Sequence, residues 1–121
     1  MIRYVKFVSV PVRDQDRAVA FYRDVMGFTV ATDAPYGDTR WIEIAVPGAD
    51  TRLVFSARTD DMTPEVPTVV FVSDDVQADF DRLRGKGVKF TTEPTETPWA
   101  KGAYYALFLD TENNLLMLGN A

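Results

Sequence analysis

The 121-residue sequence contains neither cysteine nor histidine. The absence of cysteine excludes disulfides, zinc fingers, thiol redox chemistry and a cysteine nucleophile. Histidine is the commonest metal ligand and the commonest general base near neutral pH, so its absence removes the usual centre of both kinds of chemistry. Any reaction on this protein would have to use carboxylates, Tyr, Ser, Thr, Lys, Arg or the backbone.

The sequence also lacks a long apolar run and a basic cluster. No stretch reaches about 18 apolar residues, and the N-terminal residues lack the apolar segment of a signal peptide, so no membrane association is expected. The net charge is −5. Because nucleic-acid affinity depends largely on Lys and Arg that neutralise phosphates, nucleic acid is a poor candidate partner. We expect one soluble, cytoplasmic domain whose charge serves solubility.

The two halves of the sequence match each other at an offset of about 60 residues. The matching pairs include Val10 with Val70, Val12 with Val72, Asp14 with Asp74, Ala18 with Ala78, Gly27 with Gly87 and Thr32 with Thr92. Because the pairs keep one register and one order of predicted elements, we interpret them as a duplicated module.

Each half predicts a strand, a helix and then three strands. The strands are expected near 4–12, 28–33, 39–46 and 51–57 in the first half, and near 67–72, 88–92, 103–109 and 114–119 in the second. Asp14 and Asp74 are the expected helix N-caps, and Gly27 suits the end of the first helix. The apolar helical faces are Ala18, Phe21, Tyr22 and Val25 in the first half, and Val76, Phe80 and Leu83 in the second.

Interior strands of a sheet exclude proline, so each proline predicts a sheet edge, a bulge or a break in a strand. Pro11 predicts that the end of the first strand lies at a sheet edge or a bulge. Pro35 falls in a predicted break over 34–38, and Pro94 falls in a predicted long loop over 93–102.

These elements predict an α+β fold of two βαβββ modules within one domain, 1–121. The first module is expected at about 1–57, a linker at 58–66 and the second module at about 67–121. Such a module cannot bury both faces of its small sheet. Two modules are therefore expected to form an eight-stranded, half-open barrel with the helices outside and a concave inner face open to a ligand or a partner chain.

Three segments carry a resemblance to a known family. They are the strand, Asp and helix over 8–22 with the following Met26-Gly27-Phe28, the run Arg40-Trp41-Ile42-Glu43-Ile44 before Pro47-Gly48, and the turn Phe108-Leu109-Asp110-Thr111-Glu112-Asn113-Asn114. With the repeat, they resemble the vicinal oxygen chelate superfamily of glyoxalases, bleomycin-resistance proteins and extradiol dioxygenases over nearly the full chain. The resemblance implies the fold, but it implies an activity only weakly because this fold hosts many functions.

Metal-dependent members of this superfamily place four ligands, usually His, Glu, His and Glu, on the concave sheet. The resemblance puts Phe7, Val54, Thr68 and Met117 at these positions. None of these side chains is a typical ligand of Zn, Ni, Mn or Fe. The resemblance therefore does not carry over glyoxalase or dioxygenase chemistry, which uses the metal as a Lewis acid. We expect no metal and no cofactor.

Within the superfamily, the sequence is similar to the metal-free branch that includes the bleomycin-binding proteins. That resemblance implies a homodimer that sequesters an unidentified organic molecule in a concave groove. The expected ligand-binding residues are Phe7, Trp41, Glu43, Val54, Thr68, Trp99, Tyr105 and Met117. Phe7, Val54, Thr68 and Met117 would form an apolar floor for the ligand, or would fill a closed core.

The polar and aromatic candidates each leave an alternative. Trp41 and Glu43 alternate on one strand and share a face. On the concave face, Glu43 could act as a base or a cation partner beside Trp41; on the convex face, it would be solvated. Trp99 and Tyr105 suit a ligand contact or a dimer contact equally. Arg40 and Arg52 could pair with an anionic ligand or with neighbouring acids, and we expect the pairing with acids.

Two other functions remain open. The first is a metal-free lyase or isomerase with Glu43 or a Tyr as the base, which a carboxylate of raised pKa in a closed apolar pocket would favour. The second is a vestigial domain that mainly dimerises, which a cavity filled by its own side chains would favour. An open groove favours binding.

Overall fold

The computed structural model describes residues 1–121, which form two compact units, Met1–Asp60 and Asp61–Ala121. Each unit contains one four-stranded sheet and one helical segment, in the chain order strand, helix and three strands. The predicted α+β class and the two βαβββ modules are confirmed. None of the helices has the length and apolar character needed to cross a membrane.

In the first unit, the strands are β1 (Phe7–Val12), β2 (Thr29–Tyr36), β3 (Thr39–Ala45) and β4 (Arg52–Ala57). Their order in the sheet is β1-β4-β3-β2, with β1 parallel to β4 and the other pairs antiparallel. The helix α1 (Gln15–Ala20) continues directly as a π-helix over Phe21–Val25. Because β1 is an outer strand of this sheet, Pro11 lies at a sheet edge as predicted.

The second unit repeats this arrangement. Its strands are β5 (Val69–Val72), β6 (Lys89–Glu96), β7 (Tyr104–Leu109) and β8 (Leu115–Gly119), and its helix is α2 (Val76–Gly85). The sheet order is β5-β8-β7-β6, again with the first and last strands parallel. No helix or strand lies between Ala57 and Val69.

The predicted apolar helix faces form the cores of the two units. Ala18, Phe21 and Tyr22 are buried in the first unit, and the Tyr22 ring lies 5.7 Å from that of Phe55 on β4. In the second unit, Val76, Phe80 and Leu83 are buried, as predicted. Burial of each large apolar side chain contributes about 1.5–3 kcal/mol, so these faces hold each helix to its sheet.

The helix N-caps correct the expected register of the repeat. The side chain of Asp14 accepts a hydrogen bond from the Arg17 N–H at 3.0 Å, as predicted. In the second unit, Asp75 performs this role for the Ala78 N–H at 3.0 Å, so the prediction of a cap at Asp74 is wrong by one residue. Val70 is accordingly the counterpart of Ser9 rather than of Val10. Ser9 pairs with Val54 on β4, and Val70 pairs with Met117, the equivalent residue on β8.

The π-helix explains why the offset changes along the repeat. Gly27 and Gly87 follow the two helices with φ angles of 79° and 89°. They are 60 residues apart, which is the offset that the sequence predicts. One residue more therefore separates Asp14 from Gly27 than separates Asp75 from Gly87. The π-helix accommodates it, because its wider turn lets the Met26 N–H reach the Phe21 carbonyl at 3.0 Å.

Two prolines lie inside strands that the sequence predicted to end earlier. Pro35 lies in β2 and Pro94 lies in β6. Both are outer strands of their sheets, so the missing proline N–H need not pair with a second neighbour. The predicted break at 34–38 and the predicted loop from residue 93 are therefore wrong in part, because the strands extend through Tyr36 and Glu96.

Candidate functional site

The strand register of the first unit separates two faces of its sheet. Ile42 and Ile44 are fully buried on the helix-covered face. On the opposite face, Ser9 and Glu43 both lie beside Val54, one on each neighbouring strand. Successive side chains of a strand point to opposite faces, so Trp41 also lies on this second face, away from the helix. We call this surface the open face.

Three aromatic rings meet on the open face. The Trp41 ring centroid lies 6.0 Å from that of Phe7 and 5.8 Å from that of Tyr36. The interplanar angles are 83° and 73°, so both contacts are edge-to-face, a favourable arrangement at these distances. Phe7 lies on β1, while Trp41 and Tyr36 lie on β3 and β2. Three strands therefore contribute to one aromatic cluster.

The carboxylate of Glu43 fixes the orientation of Trp41 through the indole N–H group. One carboxylate oxygen accepts a hydrogen bond from the Trp41 indole Nε1–H at 2.8 Å, and the other accepts one from the Arg52 guanidinium at 2.9 Å. The hydrogen bond from Trp41, and then that from Arg52, hold the pKa of Glu43 below its usual value. Glu43 is therefore ionised near neutral pH. The predicted pairing of Arg52 with a neighbouring acid is confirmed.

A groove of about 670 Å³ lies along the open face and extends to the end of the sheet where β1 leads into α1. This volume falls within the range of about 300–1,000 Å³ that is typical of small-molecule sites. The side chains on the open-face side of the groove are Phe7, Ser9, Tyr36, Trp41, Val54 and Ser56. The helix end contributes charged residues, among them Asp14, Asp16 and Arg40.

Arg40 is fixed by acids of two different elements. Its guanidinium donates two hydrogen bonds to Asp33 at 2.7 and 3.0 Å and one to Asp16 at 2.7 Å. These contacts raise the pKa of Arg40, and the hydrogen bonds from Arg40 lower the pKa of Asp33. The predicted pairing of Arg40 with neighbouring acids is confirmed. Gln15 adds a hydrogen bond to the Arg40 carbonyl at 2.9 Å, which ties the start of α1 to β3.

The four positions where metal-dependent members carry ligands form two pairs, and each pair has one position in each unit. Val54 lies between Ser9 and Glu43, just as Met117 lies between Val70 and Leu107. By the same register, the counterpart of Phe7 is Thr68. The phenyl, isopropyl, hydroxyl and thioether groups at the four positions do not fit a divalent metal, because none of them is a carboxylate, an imidazole or a thiolate.

The remaining predicted site residues lie in the second unit. Tyr105 pairs with Gly119, and Met117 pairs with Leu107, which places Tyr105 and Met117 on one face of that sheet. Trp99 lies in the turn between β6 and β7 and is 87% exposed. The groove of the first unit therefore contains Phe7, Trp41 and Val54 from the predicted set. Glu43 does not line the groove, but it hydrogen-bonds to Trp41.

Sequence reasoning missed three residues on the open-face side of the groove, which are Ser9, Tyr36 and Ser56. Tyr36 was assigned to a break because of the neighbouring Pro35, although the alternation of β2 continues through it. Ser56 lies near the end of β4 with no motif around it. The signal for Tyr36 was present, since Ala34 and Tyr36 extend the two-residue period that begins at Thr32.

Comparison with known proteins gives a consistent result. The sequence model described as "Glyoxalase/Bleomycin resistance protein/Dioxygenase superfamily" matches residues 4–118. The uncharacterized protein YetH of Bacillus subtilis (strain 168) is 31% identical, over 98% of each chain. Among solved structures, TnmS3, an antibiotic binding protein from Streptomyces sp. CB03234, is 37% identical with a TM-score of 0.84, over 98% of this chain and 96% of that one. A superfamily member from Sphaerobacter thermophilus DSM 20745 is 27% identical with a TM-score of 0.86, over 99% and 98%.

Proposed function

Because the chain belongs to the glyoxalase/bleomycin resistance protein/dioxygenase superfamily, we propose that it is a metal-independent binding protein. It holds an organic small molecule in the groove on the open face of its first unit. The observation that carries this proposal is the aromatic cluster of Phe7, Tyr36 and Trp41 in a groove of about 670 Å³. The similarity to an antibiotic binding protein at 37% identity supports the same class of function.

The surroundings of Glu43 favour binding over general-base catalysis. A base that works near neutral pH needs a raised pKa, and the contacts of Glu43 lower it. Both carboxylate oxygens already accept hydrogen bonds, from Trp41 and Arg52. A ligand proton would have to compete with both donors, so a lyase or isomerase that uses Glu43 is the weaker alternative. The open groove also disfavours a vestigial domain, whose cavity would be filled by its own side chains.

A homodimer is part of the proposal. Val70 and Val72 on β5 are 52% and 69% exposed, although β5 is part of a sheet. A second copy of the chain that covered these valines would remove apolar surface from water, and each Å² of apolar surface buried contributes about 25 cal/mol. Light scattering at micromolar concentration is expected to give a dimer mass; a monomer mass would remove this part of the proposal.

A thermal-shift screen tests the binding proposal. The panel contains cationic bleomycin-type drugs, fosfomycin, catechols, hemithioacetals and flat aromatic acids. A ligand at 100 times its Kd adds about 2.7 kcal/mol of stability, which corresponds to a rise in Tm of roughly 10 °C for a chain of this length. We expect at least one organic compound to produce such a rise.

Two matched variants locate the binding site. Ser9→Trp adds an indole on the open face beside Val54 and is expected to abolish the thermal shift. Arg23→Trp adds the same group to the exposed side of the first helical segment, where Arg23 is paired with Asp24, and should leave the shift intact. Equal shifts in both variants would show that the ligand binds elsewhere.

A further inference from the structure

We propose that the groove selects a planar, uncharged aromatic molecule that lies on the indole of Trp41, with Glu43 acting as the positioning residue for that indole. This inference rests on the proposed function. It adds the chemical class of the ligand and a role for Glu43 that is neither catalysis nor direct ligand contact.

The aromatic cluster leaves the stacking position on Trp41 to a ligand. Phe7 and Tyr36 stand at 83° and 73° to the indole plane, so neither ring stacks on it. Offset stacking is the other favourable geometry for aromatic pairs. A flat ring that stacks on the indole would meet Phe7 and Tyr36 at its rim, whereas a globular saturated molecule could contact only part of the indole.

Glu43 and Arg52 fix the indole before any ligand arrives. The Nε1–H of Trp41 is bound to Glu43 at 2.8 Å, and Glu43 is itself bound to Arg52 at 2.9 Å. Because the only N–H of the indole is used in this contact, Trp41 can offer a ligand its ring face but no hydrogen-bond donor. Because the ring is already held in one orientation, less side-chain entropy is lost when a ligand binds.

The charged side chains adjacent to Trp41 are held in ion pairs within the protein. Glu43 is paired with Arg52, and Arg40 is paired with Asp16 and Asp33. A charged ligand would have to break one of these pairs or enter without a counter-charge, and it would lose its own hydration. An uncharged ring avoids this cost, so the pairing favours neutral ligands over anions and cations.

Four probes of related size test the ligand class by isothermal titration calorimetry. Acridone is planar and neutral, proflavine is its planar cationic counterpart, acridone-4-carboxylate is the anionic one, and 1-adamantanol is neutral but globular. We expect acridone to bind at least about 10-fold more tightly than each of the others, and Trp41→Leu to weaken acridone binding by about 10-fold. Glu93→Leu, which removes an exposed glutamate of the second unit that is paired with Arg84, is the surface control and should leave the affinity unchanged.

The positioning role of Glu43 needs a readout beyond affinity. In a Trp99→Phe background, Trp41 is the only tryptophan, so its emission and anisotropy report on that indole alone. Glu43→Leu should lower the anisotropy of Trp41 in the absence of any probe and weaken acridone binding by about 5-fold. Glu43→Gln keeps a carbonyl oxygen for the indole N–H and should restore both properties to within about 2-fold of wild type.

The outcomes separate this inference from the proposed function. Binding of 1-adamantanol or proflavine as tight as that of acridone would overturn the ligand class while leaving a small-molecule groove in place. Unchanged anisotropy in Glu43→Leu would overturn the positioning role. If none of the four probes binds, while another organic compound binds in a Ser9-dependent manner, the ligand class alone is wrong. If no organic compound binds at all, the proposed function fails and this inference fails with it.

Discussion

The buried turn between β7 and β8 gives the sharpest stability prediction. Asp110 accepts hydrogen bonds from the Glu112 and Asn114 N–H groups at 2.8 and 2.9 Å, and from the Asn114 side-chain amide at 2.9 Å. Asn114 is fully buried and Asn113 has a φ of 65°. Asp110→Ala removes the acceptor of all three donors and leaves buried N–H groups unsatisfied.

The expected loss follows from these contacts. A hydrogen bond to a charged group contributes about 1.5–3 kcal/mol, and a buried donor left without a partner costs about 1–3 kcal/mol. Contacts that share one carboxylate do not add fully, so we expect Asp110→Ala to lower the free energy of unfolding by about 3–5 kcal/mol. For a chain of this length, the Tm should fall by roughly 10–20 °C.

Circular dichroism during thermal and guanidinium unfolding measures this loss. Asp81→Ala is the matched control, because Asp81 lies on the exposed side of α2 and accepts a hydrogen bond from the Gln77 side chain; its effect should stay within about 0.5 kcal/mol. A loss below about 1 kcal/mol in Asp110→Ala would refute the argument, since it would mean that the carboxylate does not hold the turn together.

Two further predictions follow from contacts described above. Asp75→Ala should lower the free energy of unfolding by about 1 kcal/mol, because it removes the N-cap of α2, and Asp74→Ala should have little effect; equal losses in chemical denaturation would contradict the cap assignment. The lowered pKa of Glu43 predicts that its link to Trp41 is fully formed at and above the usual carboxyl pKa of 4.5 and is lost only as the pH falls through the lower folded pKa. Trp41 emission, measured in Trp99→Phe, should therefore stay constant from pH 7 to pH 5 and change in more acidic solution; a transition above pH 5 would contradict this sign.

Much of the fold could be predicted because the apolar periods of the sequence are regular. Val76, Phe80 and Leu83 recur at helical spacing and are buried together. Trp41 and Glu43 alternate with two fully buried isoleucines, which fixes their common face. The sequence could not say which face that was, because the answer depends on the side of the sheet that the helix covers.

The errors have local physical causes. Asp74 and Asp75 are both suitable caps by residue type, and the choice between them depends on where the chain leaves β5. Pro35 and Pro94 were interpreted as breaks because an interior strand excludes proline, whereas an outer strand tolerates it. The π-helix has no signature in residue types. In the sequence, its extra residue appears only as the longer spacing from Asp14 to Gly27 than from Asp75 to Gly87.

The groove itself was only partly predictable. Phe7 and Val54 followed from the positions of a family pattern, and Trp41 followed from its alternation with Glu43 on one strand. The structure brings all three to one groove. The contact of Glu43 with both Trp41 and Arg52 required side-chain positions that no spacing rule supplies. It changes the interpretation of Glu43 from a candidate base to a group that orients its neighbour.

The most direct test of metal-independent binding is a calorimetric titration of the best organic compound from the thermal-shift screen, with the protein first in excess EDTA and then with added Ni²⁺, Mn²⁺, Zn²⁺ or Fe²⁺. Because Phe7, Val54, Thr68 and Met117 supply no metal ligands, the Kd should be the same in all of these conditions and binding should disappear in Ser9→Trp. Binding that required one of the metal ions, or that survived Ser9→Trp unchanged, would contradict the account of a metal-independent groove on the open face.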